Sequence, residues 1–282
     1  MQTIKDIEVL RRALAALRAD GGTLALVPTM GALHEGHLTL VREAKRRADH
    51  VAVSIFVNPR QFGAGEDLDA YPRQLEQDTR LLASEGVALL WVPEVAVMYP
   101  PDFATDVSVK GVSDGLCGAA RPGHFDGVAT VVLKLFNQVC PDMALFGEKD
   151  WQQLAVIRQM ARDLDLTRPH ADAIHTVPTV REEDGLARSS RNAYLSNSQR
   201  AYAAALPRAM RDALDALRTG EVTAATLHSL RQALLDAGFE QVDYAELRDG
   251  DDLRQLAGPA PGARLFVAAR IGGTRLIDNM AV

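Results

Sequence analysis

Five short apolar runs in the first 177 residues constrain this chain more than any other feature. Residues 23–27 (TLALV), 51–57 (VAVSIFV), 87–92 (VALLWV), 143–146 (MALF) and 173–177 each read as a strand. The first three are almost wholly apolar, without the alternation of a half-wet strand, and so suit strands buried on both faces of a parallel sheet. Pro28 reads as the end of the first run and Asn58-Pro59 as the end of the second. Stretches with helical periodicity lie between. Residues 4–19 carry Ile7, Leu10, Leu14 and Leu17 on one face, and residues 35–48 carry Leu38, Val41 and Ala44. Pro72 suits the first turn of a helix reaching Glu85, and further helices are predicted over 125–140 and 150–163. Strands alternating with helices of this length predict βαβ crossovers and a doubly wound α/β sheet. After about residue 176 the pattern changes to helices over 197–219 and 224–237, then strands over 241–247, 264–269 and 274–278. The expected organisation is an α/β domain over 1–175 and a smaller α+β domain over 176–282.

Composition narrows the functional classes. The 282 residues carry 31 Lys and Arg against 37 Asp and Glu, a net charge of −6, which argues against bulk neutralisation of nucleic acid. Only two cysteines, Cys117 and Cys140, are present, which fits a reducing compartment rather than a disulfide framework. The amphipathic N-terminus carries acids, unlike a secretory signal. No apolar run approaches the roughly 18 residues of a membrane span. A cytoplasmic protein is expected.

Ligands of open α/β sheets bind beyond the carboxyl ends of the strands, so the residues following each run are the candidates. They are the Met30–His37 loop, then Asn58 and Gln61, then Gly147, Glu148, Lys149, Asp150 and Gln153, then Arg181 and Ser189-Ser190-Arg191. This polar and basic set suits a phosphate together with a small polar acid. His34 and His37, three residues apart around Gly36, admit a metal, a packed core or a phosphate. The zinc-protease pattern needs i, i+4 spacing, and no Cys/His cluster supplies further ligands. Gly31 and Gly36 at a helix start favour the phosphate. Lys149 reads as a phosphate contact or a solvated lysine, and Asp150 as a helix cap or a ribose partner. Ser189-Ser190-Arg191-Asn192 reads as a phosphate lid or a helix-entry turn. Arg121 and His124 form a compact group with Pro122-Gly123, His124 reading as a cap or a site residue. Cys117 lacks an evident base, and Phe62, Trp91 and Phe146 read as core.

Taken together, VPTMGALHEGHL, FVNPRQF, YPRQLEQD, RPGHFDGV, FGEKDWQQL and DGLARSSRN, in this order, resemble the pantothenate synthetase (pantoate–β-alanine ligase) family. The resemblance implies a Rossmann-like domain with a C-terminal lid. It also implies condensation of pantoate with β-alanine through a pantoyl adenylate, with ATP as substrate, Mg²⁺ carried on its phosphates rather than in a dedicated metal site, and a homodimer. It would place Met30, Gly31, Ala32, Leu33, His34, Glu35, Gly36 and His37 at ATP, with His37 the proton donor. Gly147, Glu148, Lys149, Asp150, Val180, Arg188, Ser189, Ser190 and Arg191 would also meet ATP. Gln61 and Gln153 would hold pantoate, Gln61 would reach β-alanine, and Asn58 would sit near the phosphates or Mg²⁺. His34, Lys149 and Arg191 would join His37 in catalysis. Two departures are Arg188, where the family commonly has Met, and Trp151, where it commonly has Tyr or Phe.

Overall fold

The computed structural model describes residues 1–63 and 65–282; Ala64, in the expected 61–70 loop, lies outside the described residues. In chain order the first unit comprises β1 (Gln2–Ile4), α1 (Ile7–Leu17), β2 (Leu24–Thr29), α2 (Glu35–Arg47), β3 (His50–Ile55), α3 (Leu75–Ser84), β4 (Leu89–Trp91), the short α4 (Val95–Met98) and α5 (Leu116–Ala120), α6 (His124–Val139), β5 (Met143–Gly147), α7 (Trp151–Asp163) and β6 (Ile174–Val177). The strands form one sheet in the order β1-β4-β3-β2-β5-β6, all pairs parallel. The doubly wound α/β expectation holds.

Alternation in β2 shows why its sequence is apolar throughout. Leu24 and Leu26 join the core beneath α1, α6 and α7, whereas Ala25 and Val27 join the core beneath α2 and α3. β2 is central, and the chain leaves it first for β3 on one side and later for β5 on the other. A crevice therefore opens where β2 and β5 end.

Several boundaries move. The first helix, expected over 4–19, starts at Ile7 instead, and Ile4 ends β1, a three-residue edge strand in which it is the one buried residue. Pro28 lies inside β2, opposite Ser54. The Thr29 carbonyl accepts from Phe56 N on the β3 side, so the missing N–H of Pro28 falls on the β5 side. There the ladder has already stopped at Leu26 and Ala144, and nothing is lost. Pro72 precedes α3 instead of opening it.

The second unit comprises α8 (Asn197–Ala203), α9 (Ala205–Arg218), α10 (Thr223–Asp236) and the antiparallel sheet β7 (Gln241–Asp249), β8 (Ala263–Ile271) and β9 (Thr274–Ala281). The helix expected over 197–219 is two helices, because Pro207 cannot continue an earlier helix but is tolerated in the first turn of a new one. One face of this sheet packs on α9 and α10 through Leu265, Val267 and Ala269. The other, through Tyr244, Phe266 and Ala268, shares the core of the first unit. β6 runs two residues past the expected break at 175. No helix among the described residues is long and apolar enough to cross a membrane.

Candidate active site

A cleft of about 220 Å³ opens at the carboxyl ends of β2, β5 and β6. Met30, His34, Gly36, His37, Gln61, Gly147, Lys149, Asp150, Gln153, Val180, Arg188, Ser189, Ser190 and Arg191 line it. Apolar walls come from Val128, Val131 and Leu135 of α6 and from Phe146. The ends of β2, β5 and β6 thus bring these residues to one place.

The two histidines form the N-terminal cap of α2. His34 is the N-cap, and its Nδ1 accepts from Gly36 N at 3.1 Å. His37, at N3, accepts at Nδ1 from His34 N at 3.3 Å. This is a capping box built from imidazoles in place of Ser and Glu. It decides the tautomers, because an accepting Nδ1 leaves the ring proton on Nε2. Both rings, with centroids 4.1 Å apart, therefore present an N–H from the edge away from the backbone. Gly36 serves this arrangement. A Cβ there would stand 2.9 Å from His34 Cε1, so the missing side chain makes room for a histidine ring, not for a ligand. Burial, with Lys149 and Arg188 nearby, lowers the His34 pKa to about 4. Burial, with His34 alongside, lowers that of His37 to about 3. Both imidazoles are neutral at neutral pH.

Gly31, Ala32 and Leu33 do not reach the cleft. Ala32 N and Leu33 N each donate to the Asp78 carboxylate at 2.9 Å, and Gly31 N donates to Thr29 Oγ1 at 3.2 Å. Their donors are committed before any ligand arrives. Gly31, at φ +84°, makes the turn that aims them inward. Asp78 is 1% exposed, and burial raises its pKa against the pull of those amides. It ends YPRQLEQD, and its role was not legible because its two partners are backbone groups 45 and 46 residues earlier. Glu35 and Glu148 also face elsewhere: Glu35 pairs with Arg42, and Glu148 lies 3.5 Å from Arg264.

Asn58, expected near the phosphates or Mg²⁺, is turned inward. It is 1% exposed and absent from the cleft wall, because its amide is consumed by Gln61, Gly127 and Tyr99. Arg121 and His124 stand behind Gln61. His124 Nδ1 and Arg121 Nη2 lie 2.8 and 3.2 Å from the Gln61 carbonyl oxygen. Gly123, not His124, caps α6. Asp150 is the N-cap of α7 by position, but its side chain makes no capping bond. Its carboxylate lies 3.5 Å from Lys149 Nζ.

Each cation of the cleft has an acidic partner. Arg191 makes two bonds of 2.9 Å to Asp67, and Arg188 lies 3.0 Å from Glu182. Arg121 holds Glu66 at 2.7 and 2.6 Å. Arg121, Asp67, Lys149 and Arg191 also line an adjoining chamber of about 410 Å³. Behind Lys149, Asn279 of β9 donates to the carbonyls of Glu148 and Lys149 at 2.9 and 3.0 Å. Trp151 Nε1 donates to Gly250 O at 2.6 Å, and Arg264 stacks 3.7 Å above its ring.

A doubly wound sheet with paired N–H donors, a lysine and arginines at its switch point defines a nucleotide-binding α/β enzyme. Within that class the chain belongs to the pantoate–β-alanine ligase family, whose model matches residues 2–281. The pantothenate synthetase of Novosphingobium aromaticivorans is 65% identical, covering 100% of this chain and 99% of that protein. That of Sphingopyxis alaskensis is 58% identical over the whole of both. The crystal structure of pantothenate synthetase from Thermus thermophilus matches with a TM-score of 0.92 at 47% identity, covering 99% of each chain. That of pantoate–β-alanine ligase from Francisella tularensis, complexed with β-γ ATP and β-alanine, matches with a TM-score of 0.84 at 34% identity, covering 100% of this chain and 97% of that one. The activity is the family's, ATP-dependent condensation of pantoate with β-alanine.

Proposed function

We propose that the cleft between β2 and β5 performs both halves of this ligation. The pantoate carboxylate attacks the α-phosphorus of ATP, giving pantoyl adenylate and diphosphate. The β-alanine amine then attacks the activated carbonyl, and AMP leaves with its electron pair. The first half brings an anion against a polyanion, so the protein must neutralise and align. His34, His37, Lys149, Ser190 and Arg191 supply donors where negative charge builds. Met30, Gly36, Gly147, Asp150, Val180, Arg188 and Ser189 shape the nucleotide's surroundings, while Gly31, Ala32 and Leu33 build the wall that holds the histidines. Gln61 and Gln153 take pantoate. A neutral amide binds its oxygens without the full charge that would weaken the nucleophile. His37, neutral in the free enzyme, begins as a hydrogen-bond donor; a bound polyphosphate favours its protonation and so its service as a proton donor.

The observation that carries this reading is the pair of imidazoles fixed as Nε2–H donors beside Lys149. Mg²⁺ would arrive on the nucleotide. Among the described residues no group of three or more His, Cys, Asp or Glu could hold a metal. The uncapped Asp150 carboxylate in the cleft wall is suited to a cation carried by phosphates, where Mg²⁺ would neutralise the leaving diphosphate. The segment beyond residue 175 serves as the lid that shields the adenylate from water. A homodimer completes the reading, supported by the family resemblance. A cytoplasmic setting is supported by the free thiols of Cys117 and Cys140.

The test is pantoate-dependent exchange of diphosphate with ATP, which isolates the first half. Lys149→Ala is expected to lower that exchange by about 10²–10³-fold, as for loss of an oxyanion donor. Exchange near the wild-type rate would remove Lys149 from the mechanism.

A further inference from the structure

The polarity of Gln61 toward the cleft is set from outside the cleft. A glutamine can present either its carbonyl or its amino end, and the two meet opposite ligand groups. Asn58 decides which. Its Nδ2 donates to Gln61 Oε1 at 3.1 Å and to the Gly127 carbonyl at 3.0 Å. Its Oδ1 accepts from Tyr99 Oη at 2.8 Å and from Arg60 N at 3.2 Å. All four of its hydrogen-bonding positions are filled. Turned over, it would set N–H groups against the Arg60 amide and its oxygen against the Gly127 carbonyl. The site has no room to relax, since a Cβ on Gly127 would lie 2.3 Å from Arg60 O.

The Arg60 amide and the Gly127 carbonyl have fixed polarity and orient Asn58; Tyr99, which follows α4 and does not line the cleft, adds the second bond to the Asn58 Oδ1. Phe103 packs edge-on at 5.1 Å from the Tyr99 ring, Phe56 lies at 6.1 Å, and the Arg60 guanidinium stands 5.4 Å from its centroid. Its hydroxyl, with a pKa raised to about 12 by burial, stays protonated throughout the working range.

We infer that Tyr99 is a positioning residue for pantoate recognition: acting through Asn58, together with the Arg60 amide and the Gly127 carbonyl, it helps hold Gln61 with Oε1 inward and Nε2 in the cleft. Gln61 Nε2 lies 2.9 Å from Met30 Sδ, a weak acceptor that a ligand oxygen readily displaces. Gln61 then donates to oxygen, meeting the carboxylate or hydroxyls of pantoate. It meets β-alanine at its carboxylate and leaves the amine free to attack.

The inference rests on the assignment of Gln61 to pantoate, and a double-mutant cycle separates the two. Pantoate affinity is measured by calorimetry in the wild type, Tyr99→Phe, Gln61→Ala and the double variant. Tyr99→Phe is expected to weaken pantoate about five- to tenfold, the scale of one hydrogen bond, and to leave ATP affinity within about twofold. In the Gln61→Ala background the same change should cost less than about twofold, because nothing remains to orient. Equal loss in both backgrounds, or wild-type affinity in Tyr99→Phe alone, overturns the role of Tyr99. Unchanged affinity in Gln61→Ala overturns the assignment of Gln61 itself, and the inference with it.

Discussion

Replacing His37 by Gln tests whether the paired histidines work as neutral donors. Glutamine at N3 reaches back to the N-cap amide as glutamate does, so the cap of α2 survives. The titrating ring and its Nε2–H do not. In the folded protein the His37 pKa is about 3, against an ordinary value of 6.5. With the folded value depressed, the unfolded chain binds the proton more readily. The histidine's contribution is therefore fully present above 6.5 and is lost as pH falls through the window from 6.5 toward 3. At about pH 5 the unfolded residue is charged and the folded one is not. The gap of about 1.5 pH units then corresponds to about 2 kcal/mol. One edge of the ring meets the open cleft, and solvent there reduces the figure to about 1–2 kcal/mol. Urea unfolding at pH 7 and at about pH 5 should show the wild type losing that much more stability than His37→Gln. The variant should also lose about 100-fold in turnover, the scale of one missing donor at a phosphoryl centre. Equal loss of stability in both proteins would refute the depressed pKa. Undiminished turnover would refute the donor role.

Two further substitutions probe the same ground. Gly36→Ala should leave the melting temperature nearly unchanged, because alanine's helix preference of about 1 kcal/mol offsets a weakened cap of similar size; turnover should fall as the added Cβ displaces the His34 ring, and normal turnover would show that the ring has slack. Asp67→Asn should lower the ATP dissociation constant severalfold, since Arg191 then meets phosphate without first giving up a carboxylate; weaker ATP binding would mean that Asp67 helps hold the nucleotide.

How much could be read from the sequence depended on the range of the interaction. β2, β3 and β5 were legible because burial on both faces keeps their runs apolar, Ser54 of β3 being the one polar residue inside them. β1 was not, since three residues with one buried side chain carry no period. The cleft was legible as a set of strand ends. In the Met30–His37 segment the local contacts were not legible: Gly36 leaves room for an imidazole, and the backbone donors of residues 31–33 face Thr29 and Asp78. The inward bonding of Asn58 was not legible for a related cause. A polar residue after a strand reads as a ligand contact, and only the contacts to Tyr99 and Gly127, 41 and 69 residues later, show it turned inward.

The grip of β9 on Glu148 and Lys149 bears on recombination between relatives. A chimera joined between the two units would take Asn279 from one parent and the lysine from the other. Asn279 donates to main-chain carbonyls, which every parent possesses, so that clasp survives any exchange that brings an asparagine at 279. The stacking of Arg264 on Trp151 is different, because it matches one side chain to another across the junction. A parent with a different ring at 151 needs its own partner at 264 inherited with it. Successful hybrids should keep positions 151 and 264 from the same parent while leaving the rest of the C-terminal unit free to vary.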